Sequence, residues 1–126
     1  MAKNKDILIE NCWKKIDREK NISKKDLYTL ASVFSNKCYT GELCRILELI
    51  YKKEKNTDIL KQIAKKQTEA EMYGQAVKTL KRLLKIRPDD YETCWQLSEL
   101  YKEFGDGYSI LFYMKKAIEL ELKKND

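Results

Sequence analysis

The apolar residues of this chain recur at a nearly constant interval, and this repetition constrains the fold more than any other feature. Nine apolar positions between Leu60 and Ile86 can be moved forward by the interval that takes Leu60 to Cys94, and only Ala64 then falls on a polar residue, Ser98. When the same nine positions are moved back by the interval that takes Leu60 to Leu27, eight of them again fall on apolar residues. The ninth, Ile86, falls on Lys53. Such an interval is typical of chains built from stacked units, none of which can bury its apolar face alone.

Each unit is predicted to consist of two helices. One proline and four glycines in 126 residues leave long segments rich in lysine and leucine, which favour helix. Ser23, three residues before Asp26, predicts the start of the first unit. An apolar stripe at helical spacing also precedes the units, formed by Ile9, Cys12, Trp13 and Ile16. It predicts an additional helix over residues 5–20, so we expect one all-α domain over residues 1–126.

A repeating helix-turn-helix unit of this length resembles the tetratricopeptide repeat (TPR), and several positions carry the resemblance. The third unit, counted from Tyr91, matches the family at positions 7, 8, 11, 15, 24 and 27 with Leu97, Ser98, Tyr101, Gly105, Met114 and Ala117. The second, counted from Thr57, matches at positions 4, 7, 8, 20, 24 and 32 with Leu60, Ile63, Ala64, Ala76, Leu80 and Pro88. The first, counted from Lys24, matches at positions 4, 7, 8, 11 and 24 with Leu27, Leu30, Ala31, Phe34 and Leu47.

The resemblance implies a right-handed α-α superhelix of about seven helices. Its repeats would span residues 24–56, 57–90 and 91–124, after the N-terminal helix. Four positions depart from the family pattern. Leu43 and Ile110 stand where a small residue is usual at position 20, and Gln67 stands where an aromatic residue is usual at position 11. Leu122 stands where the third unit should have proline. These departures concern the closeness of individual helix contacts rather than the architecture.

The resemblance also implies a concave groove, lined by the first helix of each repeat, that binds a peptide or helix of a client protein. Its candidate residues are Tyr28, Ser32, Asn36, Lys61, Lys65, Trp95, Glu99 and Lys102. Tyr28 and Trp95 are aromatic residues on a face that should be solvated, which marks them as anchors. In the alternative interpretation the register is shifted by one residue and Trp95 packs against its neighbours. The clamp that binds chaperone C-termini in part of the family is not matched, since only Gln62 resembles its residues.

The last predicted helix, from Tyr108 to about Lys123, is apolar nearly all the way round. Its predicted core face comprises Ile110, Leu111, Met114, Ala117 and Ile118. Four further apolar residues are candidates for self-association, namely Phe112, Tyr113, Leu120 and Leu122. Two interpretations follow: this helix docks on a second copy or another partner, or it folds over its own neighbours.

Composition narrows the functional classes. The net charge of +6 comes from lysine pairs scattered through every predicted helix beside acids, which is more typical of solvated faces than of a nucleic-acid surface. With no histidine, no glycine-rich phosphate loop and no evident carboxylate pair, the sequence indicates no catalytic residue, metal site or cofactor. Four cysteines without a C-x-x-C pair indicate reduced thiols. The N-terminal apolar run Ile7–Ile9 is too short for a signal peptide or membrane helix, so we expect a cytoplasmic protein.

The sequence therefore predicts a non-enzymatic adaptor, scaffold or small chaperone that binds a client protein. A self-associating subunit, forming a homodimer through its last helix, is the alternative. A nucleic-acid-binding protein is the third and weakest interpretation. Whether the N-terminal helix caps the solenoid or binds a partner stays open at this point.

Overall fold

Every regular element that the structure describes is helical. The computed structural model of the chain describes residues 10, 11, 13, 14, 16, 22–35 and 39–125, and no strand occurs among them. Six helices have defined bounds: α1 (Lys24–Val33), α2 (Thr40–Glu54), α3 (Thr57–Glu69), α4 (Tyr73–Ile86), α5 (Tyr91–Phe104) and α6 (Gly107–Asn125). The all-α prediction is confirmed.

Seven helices were expected, and six have defined bounds within the described part of the chain. Of the helix predicted over residues 5–20, the structure describes Glu10, Asn11, Trp13, Lys14 and Ile16, and all five are helical. The remainder of that prediction lies outside the described residues. The chain divides into two compact units, Met1–Glu54 and Lys55–Asp126.

The first unit is organised around Phe34, which follows α1 and is fully buried. The Trp13 ring stacks on Phe34 with centroids 5.9 Å apart, and Tyr39 meets Phe34 edge-on at the same distance. The guanidinium carbon of Arg45 lies 4.2 Å from the centroid of the Trp13 ring. Phe34 and Arg45 therefore connect Trp13 to the helix pair α1 and α2. As predicted, Ser23 caps α1, because its hydroxyl accepts a hydrogen bond from the Asp26 N–H at 3.2 Å.

The second unit buries one apolar face from each of its helices. Side chains with 2 % exposure or less include Leu60, Ile63, Ala76, Leu80, Leu83, Leu97 and Ala117. Ala64 on α3 and Ala76 on α4 occupy the small-residue positions of the family pattern, and both are buried. Two small residues allow an antiparallel helix pair to approach closely, while the leucines fill the space around them.

Helix α5 ends in a tight turn that depends on glycine. Gly105 adopts φ +65°, its N–H donates to the Lys102 carbonyl at 3.2 Å, and the Asp106 N–H donates to the Tyr101 carbonyl at 3.3 Å. These two bonds form a Schellman motif, which satisfies the last carbonyls of a helix and requires the left-handed conformation at one residue.

Helix α3 ends in the same turn, at the equivalent position of the preceding repeat. Glu71 adopts φ 60°, its N–H donates to the Thr68 carbonyl at 3.0 Å, and the Met72 N–H donates to the Gln67 carbonyl at 2.8 Å. The interval from Glu71 to Gly105 also separates the start of α3 from that of α5, and the start of α4 from that of α6. Periodicity in the sequence therefore reappears as periodicity of helix starts and turns within the second unit.

Gly105→Ala is expected to lower the free energy of unfolding by about 1 to 2 kcal/mol, because an L-residue is strained in the left-handed region. An added Cβ would meet no atom within 4 Å, so the cost comes from the backbone alone. Gly107→Ala is the matched control, since its Cβ is equally unobstructed and its φ is not positive. It begins a helix, where alanine is favoured over glycine, and should be neutral or slightly stabilising. Urea denaturation followed by circular dichroism measures both, and equal effects would contradict the role given to Gly105.

The predicted core face of the last helix is wrong at two positions. Ala117 is fully buried and Ile110 and Met114 are half-buried, but Leu111 is 68 % exposed and Ile118 is 45 % exposed. Because each residue turns a helix by about 100°, Leu111 points about 120° away from Ala117 and Ile118 points about 100° away from it. Both lie in the same direction around the helix axis. Packing on α5 covers only the side that carries Ala117, so both residues are left outward.

Candidate functional site

A concave space of about 400 Å³ lies on the second unit, between α3 and the start of α5. Its walls are formed by Lys61, Gln62, Ala64, Lys65, Thr68, Glu69 and Gln96. We call it the α3–α5 depression. Except for the Ala64 methyl, its lining side chains are polar or charged.

Helix geometry explains why α3 presents this lining. Lys61, Lys65 and Thr68 follow at i, i+4 and i+7 and therefore share one side of the helix. The opposite side carries Leu60 and Ile63, which are almost completely buried. The apolar side is fixed in the core, and the polar side consequently faces the depression.

The cations on α3 differ in how they are neutralised. Lys61 Nζ lies 3.3 Å from Asp90 Oδ2, and Lys66 forms an ion pair with Glu69 at 3.7 Å. Lys65 is exposed and forms no ion pair within the described part of the chain. Its ammonium group is the charge most available to a ligand.

Two amide side chains add unused hydrogen-bonding groups. Gln62 on α3 and Gln96 on α5 are exposed, line the same depression and occupy the same position of consecutive repeats. Among the residues described, neither amide has a side-chain partner. Each offers two N–H donors and a carbonyl acceptor. Thr68 contributes less, since its hydroxyl already donates to the Ala64 carbonyl at 2.7 Å.

The structure brings together two of the predicted groove residues in the second unit, Lys61 and Lys65. Trp95 is half-buried, and its neighbour Gln96 lines the depression instead. Glu99 and Lys102 are exposed on α5 and form an ion pair with each other at 2.9 Å. Neither glutamine was among the predicted groove residues, although their recurrence at the same repeat position is visible in the sequence.

Two of the groove residues predicted in the first unit, Tyr28 and Ser32, lie on α1. Tyr28 is 48 % exposed, and its hydroxyl donates to the Glu54 carboxylate, 2.9 Å from each oxygen. That hydrogen bond, with smaller contributions from desolvation and from the Glu54 charge, raises the pKa of the Tyr28 hydroxyl. Ser32 is exposed on the same helix, and Asn36 lies outside the described residues.

A second cavity of about 470 Å³ shares Lys61 with the depression. It is also lined by Arg87, Asp89, Asp90, Tyr91, Glu92, Leu120, Lys123 and Lys124. Asp90 caps α5, because its Oδ1 accepts from the Thr93 N–H at 3.3 Å. Desolvation alone would raise the pKa of Asp90, but the Thr93 hydrogen bond and the Lys61 charge outweigh it and lower that pKa. The aspartate therefore stays ionised and holds Lys61 at the junction of the two spaces.

Helix α6 presents an apolar surface on its outward side. Five of its large side chains are exposed: Tyr108 (92 %), Leu111 (68 %), Phe112 (60 %), Ile118 (45 %) and Leu122 (62 %). We call these five residues the α6 patch. Of the four candidates for self-association, Phe112 and Leu122 belong to it. Tyr113 and Leu120 are half-buried, with the Tyr113 ring stacked on Tyr101 at 5.7 Å.

Among the described helices, none has an apolar stretch long enough to cross a lipid bilayer.

Comparison with known proteins identifies the fold. No family model matches the chain, and no curated protein matches it. A solved structure described as MamA MSR-1 C2 is similar over 98% of this chain and 68% of that chain, with a TM-score of 0.66 and 17% sequence identity. MamA contains tetratricopeptide repeats. The similarity, together with the helices described above, shows that the chain has a TPR-like α-helical solenoid fold.

Proposed function

We propose that the protein is a non-enzymatic interaction module, acting as an adaptor, scaffold or small chaperone, that binds a peptide or helix of a client protein in the groove. The observation that carries the proposal is the pairing of Gln62 and Gln96 on the wall of one depression. TPR-like folds are typically non-catalytic, which agrees with this assignment.

The chemistry of the depression favours a polypeptide ligand. Side-chain amides can pair with the N–H and C=O groups of an extended backbone, because each amide is both donor and acceptor. Lys65 supplies a positive charge beside them, which favours a carboxylate on the bound segment. The repeat arrangement belongs to the same proposal, with an N-terminal helix over residues 5–20 and repeats over 24–56, 57–90 and 91–124. A cytoplasmic location is also part of it, resting on the cysteine usage.

Selection from a random-peptide display library against the natural chain tests the groove. Enriched peptides should bind about 5-fold to 150-fold more weakly to a Gln62→Ala, Gln96→Ala variant, because the loss of two or three hydrogen bonds costs about 1 to 3 kcal/mol. Gln75→Ala is the matched control, since Gln75 is an exposed amide on α4 that does not line the depression. Peptides that bind the double variant as tightly as the natural chain would refute the groove assignment.

Self-association through α6 is a second candidate function. The α6 patch favours it, because five large apolar side chains are exposed on one side of a single helix, and large exposed apolar patches mark interaction sites. The same surface also fits a helix of a different protein. Variants of the patch and of the depression separate the two functions, since the residues involved do not overlap.

A further inference from the structure

Two charged side chains lie in the middle of the α6 patch, and their arrangement indicates what kind of surface the patch can bind. With about 100° per residue, Lys115 and Glu119 fall inside the arc spanned by Leu111, Ile118 and Phe112. Both are exposed, and neither forms an ion pair within the described residues. A lysine four residues before a glutamate has the less favourable orientation for an ion pair within one helix. The two charges are therefore available to a partner.

We propose that the α6 patch binds the α6 patch of a second copy, in an antiparallel two-fold arrangement that places Lys115 of each copy opposite Glu119 of the other. This inference rests on the second candidate function and is independent of peptide binding in the α3–α5 depression.

Two-fold symmetry makes the contact self-consistent. When two copies of one helix pack antiparallel, each contact occurs twice, with the two residues exchanged between protomers. A register that sets Lys115 against Glu119 of the second copy also brings Leu111 close to the level of Leu122, and the two copies of Ile118 close to the two-fold axis. Opposite charges and apolar residues are then matched by the same register. A parallel two-fold pairing would instead set lysine against lysine.

The area agrees with a reversible dimer. The exposed fractions of the five patch residues correspond to roughly 600 Å² of side-chain surface, taking usual side-chain areas. Two copies would remove about 1,200 Å² from water, which lies at the lower limit for specific interfaces. We therefore expect a dimer that forms with rising protein concentration rather than an obligate one.

Sedimentation equilibrium of the full chain, from low micromolar to near-millimolar concentration, tests the arrangement through charge reversal. Lys115→Glu and Glu119→Lys should each weaken dimerisation by about tenfold or more, because each converts both cross-pairs into like charges. Mixing these two variants should restore association as a heterodimer. One chain then carries glutamate at both positions and the other carries lysine at both, so each cross-pair joins opposite charges. The variant with both reversals should dimerise like the natural chain. Both side chains are exposed, so circular dichroism should show unchanged folding.

Three outcomes would overturn the proposal: a natural chain that stays monomeric throughout, a dimer insensitive to Lys115→Glu, or a mixture that associates no better than either variant alone. The first outcome would leave the patch to a different protein and would not affect peptide binding by the depression. If the dimer forms as proposed but the natural chain enriches no peptide from the library, only the groove assignment is refuted.

Discussion

Leu97→Ala is expected to lower the free energy of unfolding by about 3 kcal/mol, within the range of about 2 to 5 kcal/mol found for buried leucines. Leu97 is fully buried in α5, so truncation removes apolar contacts and leaves a cavity that its neighbours fill only in part. The repeat pattern makes this position equivalent to Ile63 in the preceding repeat, which is also almost completely buried.

Ile86→Ala provides the control for that substitution. Ile86 ends α4 and is 46 % exposed, so its truncation removes less buried surface and should cost less than about 1.5 kcal/mol. Urea denaturation of both variants, followed by helix content, gives the two free energies. A Leu97→Ala variant that is no less stable than Ile86→Ala would contradict the burial of Leu97.

The sequence predicts the helical units well because their determinants are local. Helix starts depend on nearby residues, such as Ser23 before α1, and a turn such as that at Gly105 depends on the conformational freedom of one residue. The buried face of α3 follows from the spacing of Leu60 and Ile63. Such features can be identified before the tertiary contacts are known.

The outward residues of α6 were not predictable in the same way. Leu111 and Ile118 are equivalent to Val77 and Leu84 of α4, and both of those residues are buried. Helix α4 contacts both α3 and α5, whereas the main contact of α6 is with α5. Periodicity identifies apolar residues that can be covered, but not whether a neighbouring helix covers them. The depression shows the same limit, since whether Trp95 or Gln96 lines its wall depends on the rotation of α5 by a single residue.

Gln67 illustrates a compensation that acts over a longer range. The family pattern places an aromatic residue at its position, and the structure buries the glutamine to 7 % exposure. Its Oε1 accepts a hydrogen bond from the Thr79 hydroxyl at 2.7 Å, and the same hydroxyl proton is shared with the Gln75 carbonyl at 3.0 Å. Thr79 is equally buried and lies on α4. Gln67 is tolerated in the core because Thr79, twelve positions later, donates a hydrogen bond to it.

Thr79→Val is expected to destabilise the protein by about 1 to 3 kcal/mol, because it leaves the buried Gln67 Oε1 without the hydroxyl that donates to it. Gln67→Leu should cost less, because the Thr79 hydroxyl can still donate to the Gln75 carbonyl. Valine matches threonine in shape, so the loss in Thr79→Val is mainly that of the hydrogen bond. The double variant removes both polar groups and should recover most of the stability, giving a coupling energy of about 1 kcal/mol or more between the two sites. Thermal and urea unfolding of the natural chain and the three variants measures this coupling. Additive losses would mean that Gln67 and Thr79 are stabilised independently, and that the buried glutamine is compensated by something other than this hydrogen bond.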